Sequence, residues 1–183
     1  MKIDLSHGGG GVQTNELIRT VFAKHLSNPY LDPMGDAAVL ELPGTRIAIT
    51  TDAFVVKPLF FPGGDIGKLA VCGTVNDLLM TGATPLYLTA SFAIEEGMEV
   101  SDLDRIARSM REAADESGVA IVAGDTKVVE GRGGLIITTA GVGAILGEAV
   151  SIAGARPGDA LLLSGDLGDH HACILSSRMG IEN

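Results

Sequence analysis

The apolar stretch KLAVCGTVNDLLMTGATP constrains the fold most, because its apolar residues occupy nearly the whole circumference of a helix. Asp65 supplies an N-cap for a helix over about residues 66–81, and Gly82 supplies the left-handed residue that ends it. We expect this helix to be buried on most faces. Asn76 and Asp77 lie inside it, and a buried charge is costly unless it meets a cation or donors. The alternative places Asp77 on a wet face near the helix end.

Three more carboxylates flank apolar runs that predict strands. They are Asp36 in GDAAV, Asp52 in ITTDAF and Asp125 in VAGDTK. Carboxylate oxygens are the ligands that Mg²⁺ prefers, so together with Asp77 they predict one site for a metal ion and a polyanion. Taken alone, Asp125 also fits an Asx-turn.

A triphosphate bridged by such a metal needs further donors, and the sequence offers them beside the acids. The glycines in SHGGGG indicate either a flexible loop that closes over phosphates or a disordered tail. Neither a P-loop nor a dinucleotide-binding motif is present in the sequence. The candidate nucleotide-binding residues are Gly8, Gly9, Gly10, Gly11, Thr51, Lys57, Asn76, Thr126 and Lys127; the candidate metal ligands are Asp36, Asp52, Asp77 and Asp125.

The net charge of −10, from 13 basic and 23 acidic residues, argues against a nucleic-acid or anionic membrane surface. The longest weakly charged run, residues 135–147, is broken by glycine and too short to span a bilayer. Cys72 and Cys173 have no metal-binding spacing, which is typical of a reducing compartment, and we expect a cytoplasmic protein. The adjacent His170 and His171 do not form a zinc-binding pair.

The apolar patterns predict an α+β fold with layers of helix and sheet. A capping box at Ser101 and Asp104 predicts a helix that ends at Gly118, with its acids and bases on a solvated face. A helix is predicted from residue 13. The predicted strands are residues 37–42 and 46–54 as a hairpin, 86–94, 119–123 leading into a tight turn at 124–127, and 135–146.

A glycine- and proline-rich turn at residues 154–159 predicts a domain boundary. We expect residues 1–153 to form one domain, with residues 1–12 as a flexible Gly-rich segment. A strand at 160–164 and a helix at 169–179 follow, which are too little to bury a core. Residues 154–183 are therefore expected to be the truncated start of a second α/β domain.

The segments GDAAVL, ITTDAFVVKPLFFPGGDIGKLAVCGTVNDLLMTGATPLYL and VAGDTKVVEGRGG closely resemble the HypE family of hydrogenase maturation proteins, within the PurM-like ATP-binding superfamily. The resemblance implies an N-terminal domain with a mixed sheet packed on helices, which forms a homodimer through its sheets. ATP and Mg²⁺ would lie near that interface. The four acids match the family's metal and phosphate acids, and Asn76, Thr51, Thr126, Lys57 and Lys127 match neighbouring motif positions.

HypE-like proteins use ATP to dehydrate a carboxamide on their C-terminal cysteine to a thiocyanate, the source of the iron cyanide ligand. The resemblance implies as partners a carbamoyltransferase, HypF, and the HypC–HypD scaffold. Neither Cys72 nor Cys173 stands at a C-terminus, so the acceptor and the catalytic residues are not identified and we expect no turnover by this chain alone.

Three alternatives remain open from the sequence. A thiamine-phosphate kinase is one, and a selenophosphate synthetase is another. The second resembles the chain less, because residues 1–60 contain no cysteine. The third is a non-catalytic dimerisation and docking module.

Overall fold

The computed structural model of the chain describes residues 2–8, 11–29, 32, 46–151 and 154–180. Its framework is a four-stranded sheet with two long helices packed against one face, which confirms the α+β class. The strands are β1 (Ile47–Phe54), β2 (Phe60–Phe61), β3 (Gly64–Asp65), β4 (Thr84–Glu95), β5 (Ala120–Val129) and β6 (Leu135–Ala144). The helices are α1 (Val12–Leu17), α2 (Ala23–Leu26), α3 (Ile66–Met80), α4 (Val100–Ser117) and α5 (Asp169–Met179).

The sheet is mixed, with the strand order β1-β6-β4-β5. β6 is antiparallel to both of its neighbours, while β4 and β5 are parallel and are joined through α4. β1 and β4 therefore run in the same direction on either side of β6. Among the described residues, this arrangement leaves β1 and β5 as the two edge strands.

One extra residue on β5 changes the register of the parallel pair. Leu88 lies opposite Ile121, but Thr89 lies opposite Ala123, so Val122 forms a bulge. Beyond the bulge, Asp125 lies opposite Ser91 of β4. Side chains alternate between the two faces of a sheet, and the bulge therefore decides which face every later residue of β5 occupies.

α3 and α4 cover one face of the sheet and enclose the core. Their inward side chains include Ile66, Leu103, Ile106 and Met110, all fully buried. The glycines allow close contact, since a Cβ at Gly67 would lie 2.6 Å from the carbonyl oxygen of Ile106. The opposite face, which we call the open face, has no covering element among the described residues.

Burial of α3 on most faces is confirmed for residues 66–75, of which only Lys68 is exposed, and is wrong for the last turn. Leu79 and Met80 expose 49% and 72% of their surface, and Asn76 and Asp77 are exposed as well. The remaining bounds are close to the prediction, with Asp65 as N-cap through hydrogen bonds to two helix N–H groups.

The capping box at the start of α4 is also wrong. The residue at the N-cap is Glu99, and it makes no side-chain cap bond. Asp104 turns instead to α2, where Lys24 Nζ donates at 2.7 Å and His25 Nε2 lies at 2.9 Å from the same oxygen. Asp104 therefore joins two helices rather than lying on a solvated face with Arg108.

The start of the chain is packed against the domain. Ile3 is 1% exposed, and its N–H and C=O pair with Met98 and Gly97. Leu5–Gly8 forms a turn of 3-10 helix. α1 continues through the π-helical turn Ile18–Phe22 into α2, which confirms the helix predicted from residue 13.

Two further local predictions are wrong. Residues 124–127 form no turn, because they continue β5 in pairing with β4. Residues 160–164 form no strand, and Leu161 and Leu162 are almost completely exposed. The predicted partner strand at residues 37–42 lies outside the described residues, and the predicted domain boundary stays a prediction. No helix in the described part of the chain is long and apolar enough to cross a membrane.

Candidate functional site

Asp77 lies on the exposed side of α3, beside the edge strand β1. Its Oδ2 accepts a hydrogen bond from Thr50 Oγ1 at 3.1 Å. Asn76 is its exposed neighbour. The carboxylate is therefore exposed to solvent rather than buried. This agrees with the alternative interpretation of the sequence, in which Asp77 lies on a solvent-exposed face near the end of the helix.

Asp52 lies on the same face of β1 as Thr50, two residues further along the strand. Its Oδ1 accepts the N–H of Ala53 at 2.8 Å, and its Oδ2 points to α3, 3.9 Å from where a Cβ of Gly73 would stand. Gly73 and Asp77 are one helical turn apart. The two carboxylates therefore face one shared surface, because positions one helical turn apart on α3 or two residues apart on β1 are separated by roughly 6 Å.

Close packing of α3 on β1 and β6 sets this geometry. A Cβ at Gly73 would lie 2.7 Å from the ring of Phe54, so the helix approaches the strand closely only because this position is glycine. Thr74 and Thr139 pair their buried hydroxyls, and Thr139 also donates to the carbonyl of Ala70. These buried bonds fix the helix against the sheet along the side that carries Asp77.

Asp125 and Lys127 lie elsewhere in the sheet. Their register partners on β4 belong to the open face, whereas Asp52 lies opposite Thr139, which faces α3. β1 and β5 are opposite edges of the sheet, three strand spacings or about 14 Å apart. Thr126 alternates to the helix-covered face, and Thr51 turns to the open face.

The structure therefore does not bring the predicted acids into one site within one copy of the chain. Among the described residues, no three or more His, Cys, Asp or Glu side chains form a group that could hold a metal ion. A single four-acid site within one copy is wrong for Asp52, Asp77 and Asp125, and Asp36 lies outside the described residues. The sequence does not show which face of the sheet each acid occupies or which strands lie at opposite edges, because long-range pairing sets both.

The remaining candidate residues are spread along the chain. Lys57 is exposed in the loop after β1, and its main-chain oxygen accepts a hydrogen bond from Arg178 Nε of α5 at 2.7 Å. Gly8 ends the 3-10 turn, and Gly11 directly precedes α1. Gly9 and Gly10 lie outside the described residues.

Sequence reasoning missed two polar residues close to the candidates. Thr50, which binds Asp77, was detectable from its place two residues before Asp52 in a strand. Glu95 gave no signal, because its role depends on long-range pairing. Its carboxylate accepts the N–H groups of Arg132 and Gly134, and these bonds, assisted by the charge of Lys57, lower its pKa.

The two cysteines and the adjacent histidines belong to no group of three or more potential metal ligands among the described residues. Cys72 packs against the core, and burial raises the pKa of its thiol, which agrees with an apolar filler. Cys173 donates to the carbonyl of Pro62, and His170 meets the ring of Phe61 edge-on at 5.4 Å. These contacts pack α5 against β2 and the loop that follows it.

Comparison with known proteins places the chain in a defined family. Residues 34–145 match the family described as AIR synthase related protein, N-terminal domain. The carbamoyl dehydratase HypE of Cupriavidus necator is 54% identical over 185 residues, which cover 99% of this chain and 53% of that protein. The chain therefore spans about half the length of the curated relatives it matches.

Solved structures agree with this result. The structure of hydrogenase maturation protein HypE in complex with ATP matches with a TM-score of 0.93 at 50% identity, over 97% of this chain and 54% of that one. A HypE–HypF complex matches with a TM-score of 0.72 at 52% identity, over 94% of this chain and 55% of that one. The mixed sheet and its helices are thus the fold of these proteins.

Proposed function

Because the chain belongs to the AIR synthase related family and matches the HypE proteins within it, we propose that it binds Mg²⁺-ATP for a HypE-type carbamoyl dehydratase. The observation that carries the proposal is the pair of exposed carboxylates, Asp52 and Asp77, held on one surface by the packing of α3 on β1. The ATP complex of a HypE protein at 50% identity supports the choice of nucleotide.

The donor set at this surface fits Mg²⁺. Two carboxylates and the hydroxyl of Thr50 are hard oxygen ligands, and Mg²⁺ is usually held by one or two carboxylates together with phosphate oxygens and water. The ion supplies charge neutralisation for the triphosphate. A chain with a net charge of −10 repels free ATP. The acids therefore attract the triphosphate only when Mg²⁺ is bound to them.

A second copy of the chain explains why the other candidate residues lie on the open face. Large apolar side chains are exposed there, with Ile49 at 67% and Ile136 at 44%. A homodimer that buries this face, with β5 of one copy over β1 of the other, brings Asp125 and Lys127 to the edge of the second copy's sheet, where Asp52 and Asp77 lie on the other side of β1. The site is then shared between two copies, which is our reading of how the family's acids work together.

The reaction of the whole enzyme follows from the proposed binding. Transfer of the ATP γ-phosphoryl group to the oxygen of a cysteine S-carboxamide converts that oxygen into a phosphate leaving group. Loss of phosphate and of the amide protons then gives the thiocyanate, with ADP and phosphate as the other products. The two cysteines of this chain are partly buried in or against helices, so we propose that neither is the acceptor and that this chain alone does not turn over.

Partners follow from the same assignment. The solved HypE–HypF complex supports a HypF-type carbamoyltransferase as the source of the carboxamide, and a HypC–HypD scaffold would receive the cyanide. We place the protein in the cytoplasm, where its two free thiols stay reduced. Relatives named carbamoyl dehydratase HypE are 52% to 54% identical to this chain. They favour this function over that of a selenophosphate synthetase or a thiamine-phosphate kinase.

Isothermal titration of Mg²⁺-ATP into the chain tests the site. We expect binding by the wild type and a loss of about tenfold or more in affinity for Asp77→Ala and Asp52→Ala, because each removes a charged ligand. Glu112→Ala, an exposed acid on α4, serves as the matched control and should bind as the wild type does. Equal heats for the wild type and Asp77→Ala would contradict the assignment of the site.

A further inference from the structure

The turn at residues 130–134, which joins β5 to β6, is built around the carboxylate of Glu95. Oε2 of Glu95 accepts the N–H groups of Arg132 and Gly134, each at 2.9 Å. The N–H of Glu95 donates in turn to the carbonyl of Gly134 at 2.8 Å. A Cβ at Gly131 would lie 2.5 Å from the side chain of Glu95, and one at Gly134 would lie 2.8 Å from it. The turn closes around the carboxylate only because these positions are glycine.

Lys57 lies at the same end of the sheet as this carboxylate. Phe54 of β1 and Phe92 of β4 both lie opposite Ile137 of β6. Lys57 comes three residues after Phe54, in the loop that follows β1, and Glu95 comes three residues after Phe92, at the end of β4. β1 and β4 run in the same direction, so the two residues lie at the same end of the sheet. The charge of Lys57 is close enough to help stabilise the ionised form of Glu95. One acid therefore lies between the loop after β1 and the turn after β5.

The cations at this end are held through their main chains, while their charged ends form no hydrogen bond or ion pair with the described residues. Arg178 donates to the main-chain oxygen of Lys57, and Glu95 accepts the main-chain N–H of Arg132. Within the described ranges, neither Lys57 Nζ nor the guanidinium of Arg132 has a hydrogen bond or an ion pair within 4.0 Å. Both cationic ends are therefore available to an anionic ligand, and Arg and Lys bind phosphate oxygens through charge-assisted hydrogen bonds.

We propose that Glu95 is a positioning residue, which fixes the turn that carries Arg132 beside Lys57 so that both cations bind the phosphate groups of the nucleotide. The proposal rests on the proposed function, and it adds Arg132 to the binding residues. Glu95 does not touch the phosphates, because its own charge repels them. Its contribution is the fixed geometry of the turn, and it must outweigh that repulsion.

Two substitutions of Glu95 separate its geometry from its charge. Both N–H groups bond to a single oxygen of Glu95, so the amide oxygen in Glu95→Gln can keep both bonds while the charge is lost. Glu95→Ala loses the bonds and the charge together. Arg132→Ala removes the proposed phosphate ligand, and Arg108→Ala, an arginine beside Glu112 on α4, is its matched control.

Binding of inorganic triphosphate and of Mg²⁺-ATP to the chain is measured by titration, with thermal unfolding as a check of folding. We expect Arg132→Ala to weaken both by about tenfold, which is the loss of one charge-assisted contact. Glu95→Ala should weaken both by about fivefold despite the lost repulsion, whereas Glu95→Gln should bind at least as well as the wild type.

The outcomes distinguish this inference from the proposed function. Binding by Glu95→Ala equal to or tighter than that of the wild type would overturn the positioning role. Equal affinities for Arg132→Ala and Arg108→Ala would remove Arg132 from the site. Either result leaves the proposed function intact if Asp77→Ala still loses Mg²⁺-ATP. A wild type that binds triphosphate but not Mg²⁺-ATP would contradict the proposed function, since the phosphate site would then serve another anion.

Discussion

Asp104 is a single residue whose ionisation links two helices. The hydrogen bonds from Lys24 and then His25 lower the pKa of Asp104 below its usual 3.8. A carboxyl with a lowered pKa in the folded state stabilises the protein above the pKa of the unfolded chain, and this stabilisation is lost as the pH falls through the folded value. The link between α2 and α4 should therefore hold at pH 7 and fail in acid.

We expect Asp104→Asn to lower the free energy of unfolding at pH 7 by about 0.5–1 kcal/mol, as for other partly exposed ion pairs. The difference from the wild type should shrink towards zero below about pH 3, where the wild-type carboxyl is protonated too. Urea denaturation at the two pH values measures it. Glu112→Gln, whose carboxylate lies 4.0 Å from Arg108, should show little change at either pH. A difference that stays constant with pH would contradict the role of the charge.

Single residues were predictable where local chemistry decides their role. The N-cap at Asp65 and the left-handed Gly82 follow from rules that act within a few residues. Asp104 was misassigned, because its partners on α2 are distant in sequence. Glu95 is similar, since only the pairing of β4 with β6 brings it to the turn. Long-range contacts of this kind leave no local pattern.

At the scale of elements, α3 and α4 begin in different ways. Oδ1 of Asp65 accepts the N–H groups of Gly67 and Lys68 at 2.7 and 3.0 Å. α4 starts without a side-chain cap bond from Glu99. The stability of α3 therefore depends on one side chain more than that of α4 does.

Asp65→Ala should lower the free energy of unfolding by about 1–2 kcal/mol, because two N–H groups at the start of α3 lose their acceptor. Ser101→Ala is the matched control, and we expect a change within about 0.5 kcal/mol, since Ser101 lies inside the first turn and caps nothing. Chemical denaturation of both variants gives the comparison. A larger loss of unfolding free energy for Ser101→Ala than for Asp65→Ala would contradict this and would support the capping box that the sequence predicts at Ser101.

Elements were predicted best where periodicity is strong. The helix at α4 and the strand at β6 both lie where the sequence predicts them. The turn at residues 124–127 was wrong, because glycine and Asp favour a turn locally while pairing with β4 keeps the segment extended. The apolar run at 160–164 has strand composition but no strand to pair with among the described residues.

At the scale of the whole molecule, the described residues leave an apolar sheet face uncovered, and this surface determines the expected assembly. Ile49 is 67% exposed on the open face near the middle of β1. If two copies bury this face, Ile49→Asp should convert the dimer to a monomer without unfolding it, because an unpaired charge cannot be buried in the interface. Sedimentation velocity at micromolar concentration measures the change.

Val12→Asp provides the control for this experiment. Val12 is 78% exposed at the start of α1, away from the sheet, and its substitution should leave the dimer unchanged. A wild type that sediments as a monomer would contradict the dimer and with it the shared site. The dimer through the sheets stays an expectation from the resemblance, whereas the division of the acids between two faces did not follow from the sequence, because register and strand order are set by long-range pairing.

The bulge at Val122 has a consequence for how this chain tolerates change. If β5 paired regularly through Val122, Asp125 would lie opposite Phe92 instead of Ser91, and its charge would point into the core. A one-residue insertion between the bulge and Asp125 would have that effect on Asp125, Thr126 and Lys127 at once, whereas a one-residue deletion can be absorbed by straightening the bulge and leaves Asp125 opposite Ser91. We therefore expect a deletion at the bulge to be tolerated better than an insertion after it.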